Sequence, residues 1–375
     1  MKVVVLLPTY NEKGNIEKLI REIQEVAKKL PFYQFDLLVV DDSSPDGTAS
    51  VIKDLKNKYH NLFLLLNKEK VGLGKALVIG MDYAIQKLGA DIIVQMDADL
   101  SHDPKKIPEF LQKIKEGADF VVGSRYVKGG SIPKRWGLHR KIFSRAGNLI
   151  VRTLLGIFWI HEWTSGFRAI KKNFFEKAKN ELQNVSGYTF QVAFLHKSLK
   201  NGAKIAEVPI TFSERYYGRS KLTPMEYITN LLRYLMTART KELWESGFLK
   251  FFIVGTIGFV INALGLEIFY KFGLRPGPAA SLGAEMAIIS NFTLNNFWTF
   301  KDQKVGKVTT LIAKFIQFNF TSIGAVIIQG IVVGLGTNFF GDQYRMIFMA
   351  GAVIFLIVPY SWFIYSRVIW KKTNH

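Results

Sequence analysis

Short apolar runs alternate with longer amphipathic stretches through the first part of the chain. The runs are typical of strands buried on both faces, whereas the stretches between them repeat their apolar residues at helical spacing. The predicted strands are residues 3–7, 35–40, 62–66, 92–96 and 120–123. Because strands and helices alternate, the pattern predicts an α/β fold with a doubly wound, mostly parallel sheet.

Four long apolar segments fill the remainder of the chain, at residues 249–270, 278–298, 315–335 and 344–365. Each is close to the roughly 20 residues that a helix needs to cross a bilayer core. Lysines crowd the loop between the second and third segments, whereas residues 338–343 contain neither Lys nor Arg. Since Lys and Arg concentrate in cytoplasmic loops, we expect an all-α, four-span transmembrane domain in the cell (plasma) membrane, with the α/β domain and both termini in the cytoplasm.

Two amphipathic stretches precede these segments. In residues 224–240 one face is apolar, so we expect this stretch to rest on the bilayer surface. The apolar stripe comprises Ile228, Leu231, Leu232, Leu235 and Met236. In residues 142–160 arginines interrupt an apolar run, and a membrane interface and a core-packed helix both stay open. The chain therefore divides into an α/β domain at 1–222, interface helices at 223–246 and a transmembrane domain at 247–375.

Charge and composition narrow the function. The formal net charge of +20 indicates anionic partners, and the apolar segments favour nucleotide phosphates and an acidic membrane surface. We therefore expect no nucleic-acid partner. The absence of cysteine excludes disulfides, thiolate catalysis and cysteine-bound zinc. No Gly-x-Gly-x-x-Gly follows the first predicted strand and no Gly-Lys-Ser/Thr phosphate loop occurs, so neither a dinucleotide dehydrogenase nor an NTPase is supported.

Two carboxylates with one residue between them follow the fourth predicted strand. Alternate residues of a strand share a face, so Asp97 and Asp99 can converge on one point, where they repel unless a cation lies between them. A hard divalent ion, Mg²⁺ or Mn²⁺, completed by phosphate oxygens, fits such a pair. The alternative is that both are loop or capping residues. However, Asp103 and Pro104 already supply the cap and first turn of the next predicted helix.

Polar residues also lie at the other strand ends, where doubly wound sheets bind their ligands. These and nearby segments are Pro8-Thr9-Tyr10-Asn11-Glu12, Val40-Asp41-Asp42 with Ser44-Pro45-Asp46, Gly72-Leu73-Gly74-Lys75-Ala76 and Gly123-Ser124-Arg125-Tyr126. Together with Asp97-Ala98-Asp99 they resemble the family 2 glycosyltransferases. Over roughly residues 1–245, further segments narrow the resemblance to the dolichol-phosphate and polyprenol-phosphate mannosyltransferases: Arg140 with Ser144, and residues 164–168, 187–191, 207–209 and 214–221.

The resemblance implies a GT-A-like fold and a GDP-mannose donor. The donor-binding residues that it implies are Pro8, Tyr10, Glu12, Val40, Asp42, Asp97, Ala98, Asp99, Arg215 and Lys221. Tyr10 can stack on the base, while Glu12 and Asp42 can accept hydrogen bonds from the base or ribose.

The implied metal lies at Asp97 and Asp99, where it would neutralise the diphosphate leaving group. Some relatives carry Gln two residues after the second aspartate, where this chain has Ser101. Ser101 and water are therefore both candidates for the third metal ligand.

The expected acceptor needs no general base. A sugar hydroxyl must lose a proton before it attacks, whereas a phosphate monoester is already an anion. A lipid phosphate needs cations that hold it behind the anomeric carbon, and a guanidinium fork matches phosphate. The acceptor candidates are Arg125, Arg140 and Arg168 with Ser144 as a neutral donor, and the residues assigned to catalysis are Asp99, Arg125 and Arg140. We expect His102, His139 and His161 to be polar loop residues rather than catalysts.

Two classes of function follow. In the first, an integral-membrane enzyme transfers mannose from GDP-mannose to a polyprenyl (dolichyl) phosphate with inversion; glucose or another sugar is the alternative. In the second, the spans move or recruit a lipid-linked sugar while the α/β domain only binds nucleotide. The acid pair with Arg125 and Arg140 favours the enzyme, because a binding module need not align a leaving group with an acceptor phosphate. Residues 290–300 resemble the GtrA-type membrane domain, and a homo-oligomer formed through that domain stays open.

Overall fold

The structure is a computed structural model that describes residues 1–133, 135–185, 187–214, 224–274, 276–341 and 344–370. It separates into two units, Met1–Arg239 and Thr240–His375. Arg215 and Lys221, two of the expected donor-binding residues, lie outside the described residues.

The first unit is built on a seven-stranded sheet. Its strands are β1 (Lys2–Thr9), β2 (Gln34–Asp41), β3 (Leu62–Leu66), β4 (Ile92–Gln95), β5 (Phe120–Ser124), β6 (Arg168–Lys171) and β7 (Ile205–Pro209), in the spatial order β3-β2-β1-β4-β6-β5-β7. β6 runs antiparallel to β4 and β5, and the other pairings are parallel. The predicted, mostly parallel sheet is confirmed with its first five strands. β6 and β7 escaped prediction because both are short and carry charged residues.

Helices cover both faces of this sheet. They are α1 (Lys13–Lys28), α2 (Thr48–Lys56), α3 (Leu73–Gln86), α4 (Ile107–Lys115), α5 (Leu138–Leu155), α6 (Lys172–Leu182) and α7 (Thr189–Lys200). Alternate residues of β1 point to opposite faces. Val4 and Leu6 join a core with α3, α6 and α7. Val5 and Leu7 join a second core with α1 and α4. The doubly wound arrangement is therefore confirmed.

Helix α8 (Pro224–Glu245) divides its apolar stripe between two environments. Leu231 and Leu235 are buried in the same core as α3 and α7, whereas Ile228, Leu232 and Met236 are exposed. The expectation that the whole stripe rests on the bilayer is therefore wrong for the two buried leucines. The boundary between the units falls within α8, so its first part belongs to the α/β unit.

Helix α5 shows the same division. Val151 and Leu155 are buried in that core, whereas Ile142, Phe143 and Leu149 are exposed. The core-packed interpretation is therefore confirmed for one face of α5, whereas contact of the exposed face with a membrane stays a prediction.

The second unit is helical. Its helices are α9 (Phe248–Lys271), α10 (Pro276–Leu294), α11 (Val308–Phe340), α12 (Arg345–Ala352) and α13 (Val358–Ile364), with π-helical segments at Asn295–Thr299, Val353–Ile357 and Tyr365–Ile369. These elements overlie the four predicted apolar segments. Within the described residues, one helix, Phe248–Phe269, is long and apolar enough to cross a membrane by length and composition.

Helices α9 and α10 approach closely at a pair of glycines. A Cβ atom on Gly265 would lie 2.9 Å from the Gly283 Cα atom, so a side chain there would force the helices apart. Small residues permit such contacts between helices in a membrane, where packing replaces the hydrophobic effect as the force for association.

Asn296 joins the loop after α10 to the end of the chain. Its Oδ1 accepts hydrogen bonds from the Val305 N–H at 2.8 Å and from the Trp370 indole N–H at 3.0 Å, and its Nδ2 donates to the Val305 carbonyl at 3.2 Å. Asn296 and Trp370 are both buried. Phe300 stacks on Trp370 with ring centroids 4.7 Å apart, which adds an aromatic contact to the same junction.

Replacing Asn296 by Ala should destabilise the second unit, because two donors would lose their acceptor. We expect a loss of about 2 to 4 kcal/mol, the usual penalty for two unsatisfied groups. Asn319→Ala is the matched control, since among the described residues the Asn319 side chain bonds only the Phe315 carbonyl of its own helix. Thermal unfolding of the detergent-solubilised full chain measures the difference. Equal midpoints for the two variants would contradict this role.

Candidate active site

An open cleft lies at the carboxyl ends of β1, β2 and β4, with a volume of ≈ 250 Å³. Most of the expected donor-binding residues line it: Pro8, Tyr10, Glu12, Asp42, Asp97, Ala98 and Asp99. The side chain of Val40 is instead buried in the core beside Gly80, so the expectation for Val40 is not supported. The cleft occupies the edge where a doubly wound sheet places its ligand.

The cleft has two further walls that the sequence did not assign to the site, although residues 187–191 were noted for their resemblance to the family. They are formed by Gly187, Tyr188 and Thr189 before and at the start of α7, and by Glu226, Tyr227 and Asn230 of α8. Burial raises the pKa of Tyr227 to about 12, so its hydroxyl stays protonated and can donate a hydrogen bond. The apolar stripe of α8 predicted contact with the bilayer, and nothing in the sequence assigned the polar face of this helix to the cleft.

Tyr10 has a cation beside its ring. Lys70 Nζ lies 4.1 Å from the ring centroid, and both residues line the cleft. This contact fixes the ring that is expected to stack on a base, and it places a positive charge in the lining of the cleft. Lys70 lies in a loop without a recognisable pattern, and the sequence therefore did not single it out.

Asp42 lines the cleft with a carboxylate that already has partners. It accepts hydrogen bonds from the Val71 N–H at 2.8 Å, the Gly72 N–H at 2.8 Å and the Asn67 amide at 3.0 Å. These bonds fix the loop that leads into α3, where Gly72 has a φ of +86° that favours glycine. A hydrogen bond from a base or ribose would use the remaining lone pairs of this fixed carboxylate.

Ser101 is bound to Asp99. The Ser101 hydroxyl donates to Asp99 Oδ1 at 2.5 Å, and its backbone N–H donates to the same oxygen at 3.1 Å. Both residues are buried, and Leu100 between them has a φ of +61°, which is uncommon outside glycine. This arrangement favours Ser101 as the residue that orients Asp99 over Ser101 as a metal ligand.

His102 lies inside the protein, so the expectation of a polar loop residue is wrong for it. Nδ1 accepts a hydrogen bond from the Asp97 N–H at 3.2 Å, and the ring stacks on Phe167 with centroids 5.2 Å apart. Burial lowers the pKa of His102 and outweighs the opposite effect of Asp97 and Asp99. A neutral imidazole therefore fixes the backbone at the acid pair.

Gly166 leaves room for Asp97. A Cβ atom at position 166 would lie 2.8 Å from Asp97 Oδ1, so a side chain there would displace the carboxylate. Among the described residues, no group of three or more His, Cys, Asp or Glu side chains is arranged to hold a metal ion. Mg²⁺ is commonly bound by one or two carboxylates together with substrate phosphates. Asp97 and Asp99 therefore fit an ion that is completed by a diphosphate.

Arg125 forms a buried ion pair with Glu162. Arg125 Nε donates to Glu162 Oε2 at 2.7 Å, while Nη2 donates to Oε1 at 2.9 Å and to the Thr164 hydroxyl at 2.9 Å. Burial opposes ionisation of Glu162, but the charge and hydrogen bonds of Arg125 outweigh it and lower the pKa of Glu162. Nη1 of Arg125 takes no part in these bonds. Sequence reasoning missed Glu162, whose signal is a lone carboxylate two residues before Thr164.

One face of α5 meets this ion pair. Ser144 Oγ lies 2.5 Å from the hydroxyl of Tyr126, the neighbour of Arg125. One turn later, Asn148 Nδ2 donates to Glu162 Oε1 at 3.4 Å. Side chains four residues apart share a helix face, so this side of α5 is directed at the Arg125 region.

Arg140 precedes Ser144 by one turn on the same face of α5. It is exposed, and its guanidinium carbon lies 3.9 Å from the ring centroid of the buried Trp136. An aromatic ring in this position fixes the plane of the guanidinium through its π face. Three of the four expected acceptor residues, Arg125, Arg140 and Ser144, thus lie on or beside one face of α5.

Arg168, the fourth, does not join them. Its side chain is fully buried and donates to the backbone carbonyls of Trp163 at 2.9 Å, Ser165 at 2.7 Å and Gln191 at 2.6 Å. Burial lowers the pKa of Arg168 to about 9. The expectation that Arg168 binds the acceptor phosphate is therefore wrong in this structure, since its guanidinium holds the loop before β6 against α7.

Replacing Arg168 by Met should lower the free energy of unfolding by about 2 to 4 kcal/mol, because buried carbonyls would lose their donor. Arg21→Met is the control, since the Arg21 side chain is 61% exposed and, within the part of the chain that the structure describes, pairs only with Glu17. Chemical denaturation followed by circular dichroism compares the two. A stable Arg168→Met protein that requires more polyprenyl phosphate would restore the acceptor role.

Replacing Gly166 by Ala should weaken Mn²⁺ binding at least about tenfold, the usual effect of disturbing a residue that positions a metal ligand. Gly147→Ala in α5 is the control, since a Cβ atom there meets no atom within 4 Å. Electron paramagnetic resonance of Mn²⁺ in the presence of GDP gives both affinities. Matching affinities would show that Asp97 tolerates a side chain at position 166.

Two family models match the chain. Residues 4–199 match Glycosyl transferase family 2, and residues 250–370 match the GtrA/DPMS transmembrane domain. The second match supports a membrane protein, in agreement with the apolar helix of the second unit.

Individual proteins resemble the chain over most of its length. The Dolichol-phosphate mannosyltransferase of Pyrococcus furiosus is 34% identical over 367 residues, which are 96% of this chain and 97% of that protein. The Polyprenol monophosphomannose synthase of Mycolicibacterium smegmatis is 35% identical over 59% of this chain and 81% of that protein. The crystal structure of mannosyl-3-phosphoglycerate synthase from Rubrobacter xylanophilus has a TM-score of 0.49 and 18% identity, over 65% of this chain and 75% of that one. The chain therefore belongs to family 2 of the glycosyl transferases, with a GtrA/DPMS transmembrane domain as its second unit.

Proposed function

We propose that this membrane glycosyltransferase transfers mannose from GDP-mannose to a polyprenyl (dolichyl) phosphate, with inversion at the anomeric carbon. The names of the Pyrococcus and Mycolicibacterium relatives support the sugar and the class of acceptor. The observation that carries the proposal is the loop at residues 162–166, which contacts a carboxylate at one end and a guanidinium at the other.

This loop makes the two halves of the site neighbours. Glu162 and Thr164 bind Arg125, while Gly166 lies against Asp97. Residues two apart in the chain are separated by at most about 7 Å. A leaving diphosphate at the acid pair and an acceptor phosphate at Arg125 would therefore lie on either side of one sugar. A protein that only binds nucleotide has no need for the second set of contacts.

The acceptor would attack without a general base. One ionised phosphate oxygen forms a bond to the anomeric carbon while the bond from that carbon to the nucleoside diphosphate breaks, and attack from the opposite side inverts the centre. Arg140 and Nη1 of Arg125 would hold the other phosphate oxygens, and Ser144 would donate a hydrogen bond. When bound at Asp97 and Asp99, a divalent ion would neutralise the charge of the departing diphosphate.

The nucleoside would lie at the opposite end of the cleft. Tyr10 would stack on the base, with Lys70 beside it, and Asp42 and Glu12 would accept its hydrogen bonds. We further propose that the helical segments of the second unit cross the membrane four times, with both termini cytoplasmic. The basic loop at residues 301–314 supports that orientation.

Purified full-length protein tests this proposal when it is supplied with a panel of radiolabelled nucleotide sugars and either dolichyl or undecaprenyl phosphate. We expect transfer from GDP-mannose and a β-linked product, which nuclear magnetic resonance identifies. Transfer from a UDP-sugar alone would contradict the mannose assignment. Nucleotide binding without transfer to any lipid phosphate would favour transport or recruitment.

Replacing Arg140 by Ala should raise the polyprenyl phosphate requirement and leave the affinity for the nucleotide sugar near normal. Loss of a charge-assisted bidentate contact corresponds to about 2 to 4 kcal/mol, and Arg140→Lys should recover only part, because an ammonium lacks the fork. Arg145→Ala, also exposed on α5, is the control. Separate titrations of the two substrates decide the matter. Lost donor affinity with an unchanged lipid requirement would move Arg140 to the donor side.

A further inference from the structure

A second cavity lies within the membrane unit, and the proposed reaction does not use it. Its volume is ≈ 740 Å³, within the range of about 300 to 1,000 Å³ that small-molecule sites occupy. The start of α9 forms one wall, and residues of the π-helical segments Asn295–Thr299 and Tyr365–Ile369 contribute others. π-Helical turns are rare and recur at functional sites.

Basic side chains give the cavity its charge. Lys250, Lys301 and Arg367 line it, and within the described residues no ion pair joins any of them to a carboxylate. Lys250 Nζ lies 5.6 Å from the ring centroid of Trp244, and the Arg367 guanidinium lies 4.1 Å from that of Phe363. Aromatic faces, rather than acids, thus accompany these two cations.

Two acidic residues also line the cavity. Glu245 Oε1 lies 3.7 Å from Lys241 Nζ, which offsets part of its charge. Asp302 is exposed. The three basic residues therefore outnumber the two acids, and the lining favours an anion.

A buried hydroxyl in the lining has no partner. Thr299 is 9% exposed, and its Oγ1 is buried without a hydrogen-bond partner among the described residues. Such groups are rare in folded proteins and are explained when something binds them. Gly247 lets its neighbours approach the backbone closely, since a Cβ atom there would lie 3.3 Å from the Trp362 ring and 3.3 Å from the Thr299 carbonyl oxygen.

Aromatic rings complete the cavity. Phe300 stacks on Trp362 and on Trp370, with centroids 5.4 Å and 4.7 Å apart. All three rings line the cavity. An apolar surface thus adjoins the cations, as a ligand with an anionic head and an apolar stem requires.

We propose that this cavity binds an anionic phosphate group carried by a lipid. The three cations and the Thr299 hydroxyl supply donors for phosphate oxygens, and the aromatic rings contact the apolar stem. The cavity lies at the first turn of the apolar helix Phe248–Phe269, the level at which headgroups meet water. The proposal requires the membrane unit alone and does not depend on the reaction proposed for the α/β unit.

Native mass spectrometry of the full chain in detergent tests it, with phosphatidylglycerol, phosphatidylcholine and undecaprenyl phosphate as separate probes. We expect phosphatidylglycerol and undecaprenyl phosphate to be retained in preference to phosphatidylcholine. Whichever of these two anionic lipids binds more tightly identifies the lipid class. Lys250→Gln combined with Arg367→Gln should weaken retention about tenfold or more. Lys304→Gln combined with Lys307→Gln removes the same charge from the nearby loop outside the cavity and should leave retention unchanged.

Equal losses in the two double variants would overturn the proposal, because they would indicate unspecific attraction to basic residues. Equal retention of phosphatidylcholine would overturn it as well. Displacement of the lipid by equimolar inorganic phosphate would also overturn it, because the cavity would then be a site for a soluble anion. Thr299→Val, which keeps the side-chain shape, provides a second test if the double variant does not fold. It should weaken retention severalfold, and unchanged retention would contradict the assignment.

Discussion

Repulsion among carboxylates at one edge of the parallel sheet is the constraint on which the first unit depends. The strand ends bring Asp41, Asp42, Asp97 and Asp99 to this edge, where like charges oppose one another. Hydrogen bonds within the protein offset the repulsion between the first pair, Asp41 and Asp42. Asp41 accepts hydrogen bonds from Thr9 and Ser44, and Asp42 accepts them from the loop before α3. The second pair lines the cleft, where a divalent ion and a diphosphate can complete it.

The same constraint explains why the proposed acceptor side is cationic. Glu162 is a further buried acid behind the cleft, and Arg125 compensates it with a bidentate ion pair. That pair leaves Nη1 of Arg125 outside the bonds to Glu162 and Thr164, and Arg140 adds a second guanidinium one turn before Ser144. The loop at 162–166 thus pairs with Arg125 at one end and lies against Asp97 at the other. One short segment therefore sets the spacing between Asp97 and Arg125, the proposed donor and acceptor sides.

Much of this could be predicted from the sequence, because strand ends in a parallel sheet converge whatever the details of packing. Strong apolar runs revealed the first five strands, and the residues that follow β1, β2 and β4 were therefore placed together correctly. Long-range pairing has no such local signal. Glu162 could therefore not be assigned to Arg125. The prediction for Arg168 was wrong because a buried arginine and a phosphate-binding arginine cannot be distinguished from the sequence. The stripe of α8 was ambiguous for the same reason, since its period reveals an apolar face but not the surface that covers it.

The metal-binding role of the acid pair is the central claim, and metal-switched activity tests it most directly. The chain contains no cysteine, so Asp99→Cys introduces a single thiol at the proposed ligand position. Thiolates prefer soft ions to Mg²⁺. Mannosyl transfer by this variant should therefore be lost with Mg²⁺ and recovered in part with Cd²⁺, whereas Asp54→Cys, at an exposed position of α2, should behave as wild type with both ions. Near-normal transfer by a folded Asp99→Cys protein with Mg²⁺ would contradict the account.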